Sequence, residues 1–174
     1  EALPAEERAR LERIWEDGVL ELAAESRGRI LPLAASRPRE GFAGVSVGAD
    51  TLDDLDALAP VLDALGGSGF LFVHPAAGTP VPGAPVWWSA LVDYTAQMQR
   101  AYFAWLAGGQ SRWPDVNIVF AILAGGAPIQ LERLASRGVD VEIGHHPNLF
   151  FDTASYGPRA LTLCIEALGV EQLV

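Results

Sequence analysis

A few polar side chains stand where short apolar segments of this sequence begin or end. His74 follows the apolar run 70–73, Asp152 follows the run 149–151, and His145 and His146 precede that second run. An imidazole is a common metal ligand and acid–base group, and a carboxylate can act as a general base or a metal ligand. These residue types could form a metal-assisted or acid–base site if the fold gathers them in one place.

Residue type alone leaves these roles open. His74 is either a metal ligand or a ring hydrogen-bonded within the rim of the fold. Asp152 is a base, a metal ligand or a cap for the next turn, and its spacing alone favours the cap. His145 and His146 are interpreted as loop residues, because adjacent side chains diverge and both precede a strand. Cys164, the single cysteine, excludes an internal disulfide and is interpreted as a buried, inert thiol.

Strand and helix signals alternate along the chain and must position these residues. Apolar runs over 30–34, 43–47, 70–73, 116–123 and 149–151 predict buried strands. Helical periodicity covers residues 6–25, 51–66 and 86–106, the segment after Gly125-Gly126, and the segment between Gly157-Pro158 and Gly169. This alternation predicts βαβ units and a parallel sheet, with the working residues past the C-terminal strand ends. Periodicity does not separate a closed barrel from an open sheet, although no Gly-x-Gly-x-x-Gly motif follows a strand.

Composition narrows the class of protein. The chain has 174 residues, half of them hydrophobic, which suits one domain over 1–174. The balance of 12 basic and 22 acidic residues gives a net charge of −10, which argues against a nucleic-acid partner. No apolar run reaches the roughly 18 residues of a membrane span, and no signal peptide is recognised, so a cytoplasmic protein is expected. The oligomeric state stays open, a homo-oligomer included.

One connection is too short for a parallel sheet. Only residues 36–41 separate the first two predicted strands, whereas a parallel crossover takes roughly a dozen or more residues. The sequence therefore predicts an omitted segment, with a break between Arg37 and Gly41. Because Leu173-Val174 begins another strand, and a complete eight-unit barrel takes roughly 250 residues, the domain is also expected to be incomplete at both ends.

Four segments, in order, resemble one known family. Residues 72–75, Phe-Val-His-Pro, resemble the fifth-strand motif of the amidohydrolase superfamily, closest to its aminocarboxymuconate-semialdehyde decarboxylase-like branch. Residues 117–134 resemble the sixth strand and helix, residues 148–160 the seventh unit, and residues 168–174 the lead into the eighth strand. The resemblance covers residues 42–174. It implies a TIM-type (β/α)₈ barrel, of which this sequence spans about units three to seven and the start of unit eight.

The resemblance also implies a chemistry. Family members bind one divalent metal, often zinc, and catalyse hydrolysis or non-oxidative decarboxylation of small carboxylated or cyclic substrates. Of the family's ligands only the histidine after strand five has a counterpart, His74. The family's His-x-His pair on strand one and its aspartate after strand eight have no counterpart in this sequence. Metal binding is therefore expected only if the full-length protein supplies these ligands. The family's strand-six histidine corresponds to Ile122, which can neither bind metal nor move a proton.

These residues support competing hypotheses. The first is a metal-dependent hydrolase or decarboxylase with Asp152 as the candidate catalytic residue and Trp87 and Tyr156 lining an apolar substrate pocket. The second, favoured by Ile122, is a catalytically inactive barrel with a binding or structural role. A third is a sugar- or phosphate-binding barrel of another family, which predicts no metal at His74.

Overall fold

The computed structural model describes residues 3–174 and contains one sheet of five parallel strands. The strands are β1 (Leu33–Ala34), β2 (Gly44–Gly48), β3 (Phe70–His74), β4 (Asn117–Phe120) and β5 (Leu149–Phe151). They lie side by side in sequence order, and every neighbouring pair is parallel. Leu173 adds a parallel bridge to Phe151. The five parallel strands predicted from the apolar runs are confirmed.

Helices follow most of the strands. They are α1 (Ala5–Glu25), α2 (Leu55–Leu65), α3 (Trp88–Leu91), α4 (Asp93–Ala104), α5 (Gln110–Arg112), α6 (Leu123–Ala135) and α7 (Pro158–Leu168). A π-helical turn, Trp105–Gly109, joins α4 to α5, and 3₁₀ turns cover Ala49–Asp53, Val141–Gly144 and Val170–Gln172. The helix predicted over 86–106 is therefore several consecutive helical segments. Within residues 3–174, no helix has both the length and the apolar character needed to cross a bilayer.

The two faces of the sheet have different surroundings. Because side chains alternate along a strand, Leu71 and Val73 point toward the helices and are fully buried. Phe70 and Phe72 point the other way and line a cavity of about 610 Å³ along the opposite face. We call this opposite face, which also carries Asn117, Val119, Phe150 and Asp152, the inner face.

The helix-side core is built around one aromatic residue of α4. Tyr102 is fully buried, and its ring packs edge-on against Phe120 of β4 and Phe151 of β5, with centroids 5.5 and 5.7 Å apart. Aromatic pairs of this kind contribute beyond the area they bury. These contacts hold α4 across β4 and β5, the strands that end shortly before Ile122 and Asp152.

The first helix packs unlike an ordinary amphipathic helix. Its apolar stripe is exposed, with Leu11 and Trp15 about half accessible to solvent. Its one buried residue is Glu16. The Glu16 carboxylate accepts hydrogen bonds from the Ala35 amide and the Arg39 guanidinium, at 3.2 and 2.5 Å. A charged contact thus fastens α1 to the segment that follows β1.

The segment between β1 and β2 runs without interruption through residues 35–43 and contains no helix. The break predicted between Arg37 and Gly41 is therefore absent from the described residues. The short crossover is stabilised from outside by the Glu16–Arg39 ion pair and by Leu20, which packs on Gly41. That the domain is incomplete at its ends, or lacks a segment here, stays a prediction.

Replacing Tyr102 with phenylalanine is expected to stabilise the protein by about 1 kcal/mol at neutral pH. Its hydroxyl is buried and has no hydrogen-bond partner among the residues that the structure describes. Burial also raises the pKa of Tyr102. Because the unfolded chain ionises this group above a pH of about 10, wild-type stability should fall there, and the advantage of Tyr102→Phe should grow.

Urea unfolding at neutral and alkaline pH measures this effect. Tyr94→Phe, at a half-buried tyrosine of the same helix, is the control and should lack the gain. A Tyr102→Phe variant that is less stable than wild type would show that the hydroxyl is hydrogen-bonded in solution.

Candidate functional site

His74 ends β3 at the C-terminal edge of the sheet, on the same face as Phe72. Its ring stacks on the Phe72 ring, with centroids 6.4 Å apart and planes at 28°. Nδ1 lies 2.9 Å from the Pro75 carbonyl oxygen. When Nδ1 carries the ring proton, it donates a hydrogen bond to that oxygen. Nε2 is then left with a free lone pair. A histidine held through one nitrogen and open at the other is the usual arrangement of a metal ligand.

The pairing register places the other rim residues relative to His74. His74 is paired with Gly48 on β2. On the other side, the Ala121 amide donates to the Val73 carbonyl and the Asp152 amide to the Phe120 carbonyl, both at 2.9 Å. The row that contains His74 therefore continues through Ala121 to Asp152. With strands about 4.8 Å apart, two spacings separate the backbones of His74 and Asp152, so they can act on one small molecule but not directly on each other.

Asp152 is anchored at the end of β5. Its Oδ1 accepts a hydrogen bond from the Ala154 amide at 3.1 Å, which is the capping arrangement that its spacing favours. Its Oδ2 lies 3.5 Å from the Ile122 amide nitrogen. The residue also lines the inner-face cavity. The carboxylate is thus oriented by backbone donors while it borders the space where a substrate would lie.

A left-handed turn follows β4, which is shorter than the strand predicted over 116–123. The turn includes the first four residues of α6, 123–126, which lack right-handed helical geometry. Five consecutive residues have positive φ angles, Ile122 (44°), Leu123 (52°), Ala124 (50°), Gly125 (68°) and Gly126 (99°). Each non-glycine residue in this conformation costs roughly 1–2 kcal/mol. Strained backbone persists only where its surroundings hold it, and such segments cluster at functional sites.

Contacts from two directions hold this turn. Gln99 of α4 donates from Nε2 to the Gly125 carbonyl at 2.7 Å, and the Leu123 amide donates to the Asp152 carbonyl at 3.0 Å. The Tyr156 hydroxyl donates to the Ile122 carbonyl at 3.3 Å. Partial burial raises the pKa of Tyr156, with a smaller contribution from Cys164. The phenol therefore stays a neutral hydrogen-bond donor at neutral pH.

The remaining candidates lie in different places. Trp87 stacks on Trp88 at the start of α3, is about half exposed, and lines neither the inner-face cavity nor the cavity at His74. His146 lies at the opposite end of β5, where its Nδ1 accepts from the Asn148 amide at 3.3 Å. Cys164 is buried, and burial raises the pKa of its thiol. The rim of the sheet thus brings together His74, Asp152 and Tyr156, but not the tryptophans.

The donor set can be tested against the requirements of a divalent metal. His74 presents an imidazole nitrogen, which is a common metal donor. A metal needs about three or more protein ligands, and residues 3–174 contain no group of three or more His, Cys, Asp or Glu residues able to hold one. His74 therefore fits as one ligand of a site that these residues do not complete.

Sequence reasoning missed one rim residue, Asp50. It follows β2 within the 3₁₀ turn and shares a cavity of about 460 Å³ with His74. Nothing in the local sequence separates it from the neighbouring acidic residues Asp53 and Asp54. Only the pairing of Gly48 with His74 shows that Asp50 lies at the same rim.

Comparison with known proteins identifies the fold. No family model and no curated protein sequence matches this chain. Solved structures do match: IDCase from Metarhizium anisopliae has a TM-score of 0.78 at 20% identity, over 99% of this chain and 57% of that one. A 5-carboxyvanillate decarboxylase from Novosphingobium aromaticivorans, complexed with manganese and 4-hydroxy-3-methoxy-5-nitrobenzoic acid, has a TM-score of 0.71 at 17% identity, over 98% and 60%.

A structure described as an amidohydrolase II has a TM-score of 0.75 at 17% identity, over 94% of this chain and 62% of that one. At these identities the matches establish a shared fold and no more. The chain has the fold of part of a (β/α) barrel, as these solved structures do, which confirms the predicted fold class. It spans about 57–63% of the first solved structures that it matches.

Two glycine substitutions separate strain from crowding in the left-handed turn. Gly125→Ala would place a Cβ 2.5 Å from the Thr95 carbonyl oxygen, whereas a Cβ on Gly126 would meet nothing within 4 Å. We expect Gly126→Ala to lose about 1 kcal/mol of unfolding free energy through its positive φ alone. Gly125→Ala should lose about 3 kcal/mol of unfolding free energy, because its Cβ would also collide with the Thr95 carbonyl oxygen.

Chemical denaturation of the two variants measures this difference. Because both glycines have positive φ, Gly126→Ala is the matched control for backbone strain. Equal losses in the two variants would contradict the close packing of the turn against α4.

Proposed function

We propose that this chain is part of a metal-dependent enzyme of the amidohydrolase type, which hydrolyses or non-oxidatively decarboxylates a small carboxylated or cyclic substrate. One observation carries the proposal: His74 lies at the C-terminal end of a central parallel strand, on the inner face, with Nε2 free. In (β/α) barrels that edge of the sheet carries the active site. The shared fold with decarboxylase and amidohydrolase structures supports the same assignment.

The proposed site uses this chain's residues in distinct roles. His74 would contribute one nitrogen ligand to a divalent metal, with the other ligands supplied from outside this sequence. A bound metal would supply Lewis-acid polarisation of the substrate and a water of lowered pKa. Asp152, oriented by the Ala154 amide, is the proposed acid–base residue. Tyr156 is proposed to donate a hydrogen bond at the same rim.

The inner face is apolar below the rim. Phe70, Phe72, Val119 and Phe150 form an apolar surface below the rim, and Asp152 is the charged residue that borders it. Side chains at this depth fill the interior of a closed (β/α) barrel, so the small substrate is proposed to bind at the rim above them, beside Asp152. Trp87 does not line the inner-face cavity, and its role in substrate binding stays a prediction. Zinc as the metal, a cytoplasmic location and the oligomeric state stay predictions.

A second candidate function is an inactive barrel with a binding or structural role. Ile122 favours it, because an apolar side chain occupies the position of the family's strand-six histidine. The two functions differ in one measurable property, because the inactive barrel does not require a metal at His74.

His74→Ala tests the proposed function in a protein that carries the remaining ligands. We expect wild type to hold about one divalent metal per chain and the variant to hold close to none, because the nitrogen donor at the rim is lost. Metal analysis after purification and dialysis gives the two values. His145→Ala, an exposed histidine at the opposite end of the sheet, should bind as wild type does. Metal content undiminished in His74→Ala would refute the proposed role.

A further inference from the structure

The rim of the sheet contains a carboxylate, that of Asp50, which borders the same cavity as His74 but is not recognisable from the sequence. Asp50 is exposed and lies two residues after Gly48, the β2 residue paired with His74. An ideal Cβ built on Gly48 would lie 2.5 Å from Asp50 Oδ1. The Asp50 carboxylate therefore occupies the space that a side chain at position 48 would take.

That space lies on the face of the sheet to which the paired residue His74 directs its side chain. Residues paired across neighbouring parallel strands direct their side chains to the same face, with backbones about 4.8 Å apart. The same ideal Cβ on Gly48 would lie 3.4 Å from the Ala76 Cβ, which belongs to the loop that follows His74. Asp50 and His74 also border one cavity of about 460 Å³. Glycine at position 48 thus makes room for a carboxylate at the part of the rim that carries His74.

The neighbouring acidic residues have structural partners, and Asp50 does not. Asp53 pairs with Arg100, with 3.1 Å between Oδ1 and Nε, and Asp54 caps α2 by accepting from the Ala57 amide at 3.0 Å. Among the residues that the structure describes, no hydrogen bond or ion pair reaches the Asp50 carboxylate. Both of its oxygens are therefore open to a ligand.

We propose that Asp50 is a second donor to the divalent metal that His74 binds. The inference rests on the proposed function, since it assumes a metal at His74. A carboxylate oxygen and an imidazole nitrogen are a common donor pair for Zn²⁺ and Mn²⁺. The pair makes two of the roughly three or more ligands that a stable site needs, so this chain should bind such ions weakly through His74 and Asp50 together.

Titration of Mn²⁺ alone into the chain, followed by the electron paramagnetic resonance signal of the free ion, tests this pairing. We expect Asp50→Asn and His74→Ala each to raise the dissociation constant by about tenfold or more. Asp115→Asn is the control, because it removes the same charge at the opposite end of the sheet, before β4. It should change the dissociation constant for Mn²⁺ by less than about twofold.

Gly48→Ala offers a test that removes no donor. Gly48 has φ −69° and ψ 147°, which alanine adopts readily. The added methyl should displace the Asp50 carboxylate and weaken Mn²⁺ binding, whereas circular dichroism and unfolding should show an intact fold. Weakened binding in both Gly48→Ala and Asp50→Asn supports the proposal.

The remaining outcomes separate this proposal from the proposed function. Binding lost in His74→Ala but unchanged in Asp50→Asn overturns the role of Asp50 and leaves the His74 site standing. Binding weakened in Asp50→Asn but unchanged in His74→Ala, or unchanged in both, overturns the shared site and the His74 ligand with it. A wild-type chain that binds no Mn²⁺ overturns the two-donor site.

Discussion

In-register parallel pairing of β2 to β5 is the constraint on which the rest of this structure depends. It aligns Gly48, His74, Ala121 and Asp152 in one row at the C-terminal rim. Because side chains alternate along each strand, the same register directs Phe70 and Phe72 to the inner face and Leu71 and Val73 to the helices. A one-residue slip in any pair would exchange these faces and remove His74 from the rim.

The rim and the core are coupled through the left-handed turn after β4. The turn is unfavourable by itself, yet Gln99 from α4 and the Asp152 backbone hold it. The contacts of Tyr102 with Phe120 and Phe151 fix α4 over the same strands. Packing on the helix side therefore stabilises a strained backbone on the functional side. The turn also orients Asp152 and Tyr156, so changes at Ile122 would affect the fold and the site together.

Much of the fold follows from local pattern, because continuous apolar runs are what buried parallel strands require. His74 and Asp152 were located by their position after such runs. Three features escaped prediction because non-local contacts decide them. Local propensity does not predict left-handed Ile122 and Leu123, which contacts from other elements hold. The exposed stripe of α1 reflects a charged attachment through Glu16. Asp50 reaches the rim only because Gly48 pairs with His74.

The rim of the inner face at His74 is the proposed metal-binding and functional surface of this barrel. The sequence contains three histidines, so the ring nitrogens of histidine-labelled protein give a simple nitrogen-15 NMR spectrum. Addition of cadmium-113 measures directly which ring nitrogen binds metal. Cadmium is expected to shift the Nε2 resonance of His74 and couple to it, and to leave His145 and His146 unchanged. Coupling to His145 or His146 with His74 unaffected would contradict this assignment.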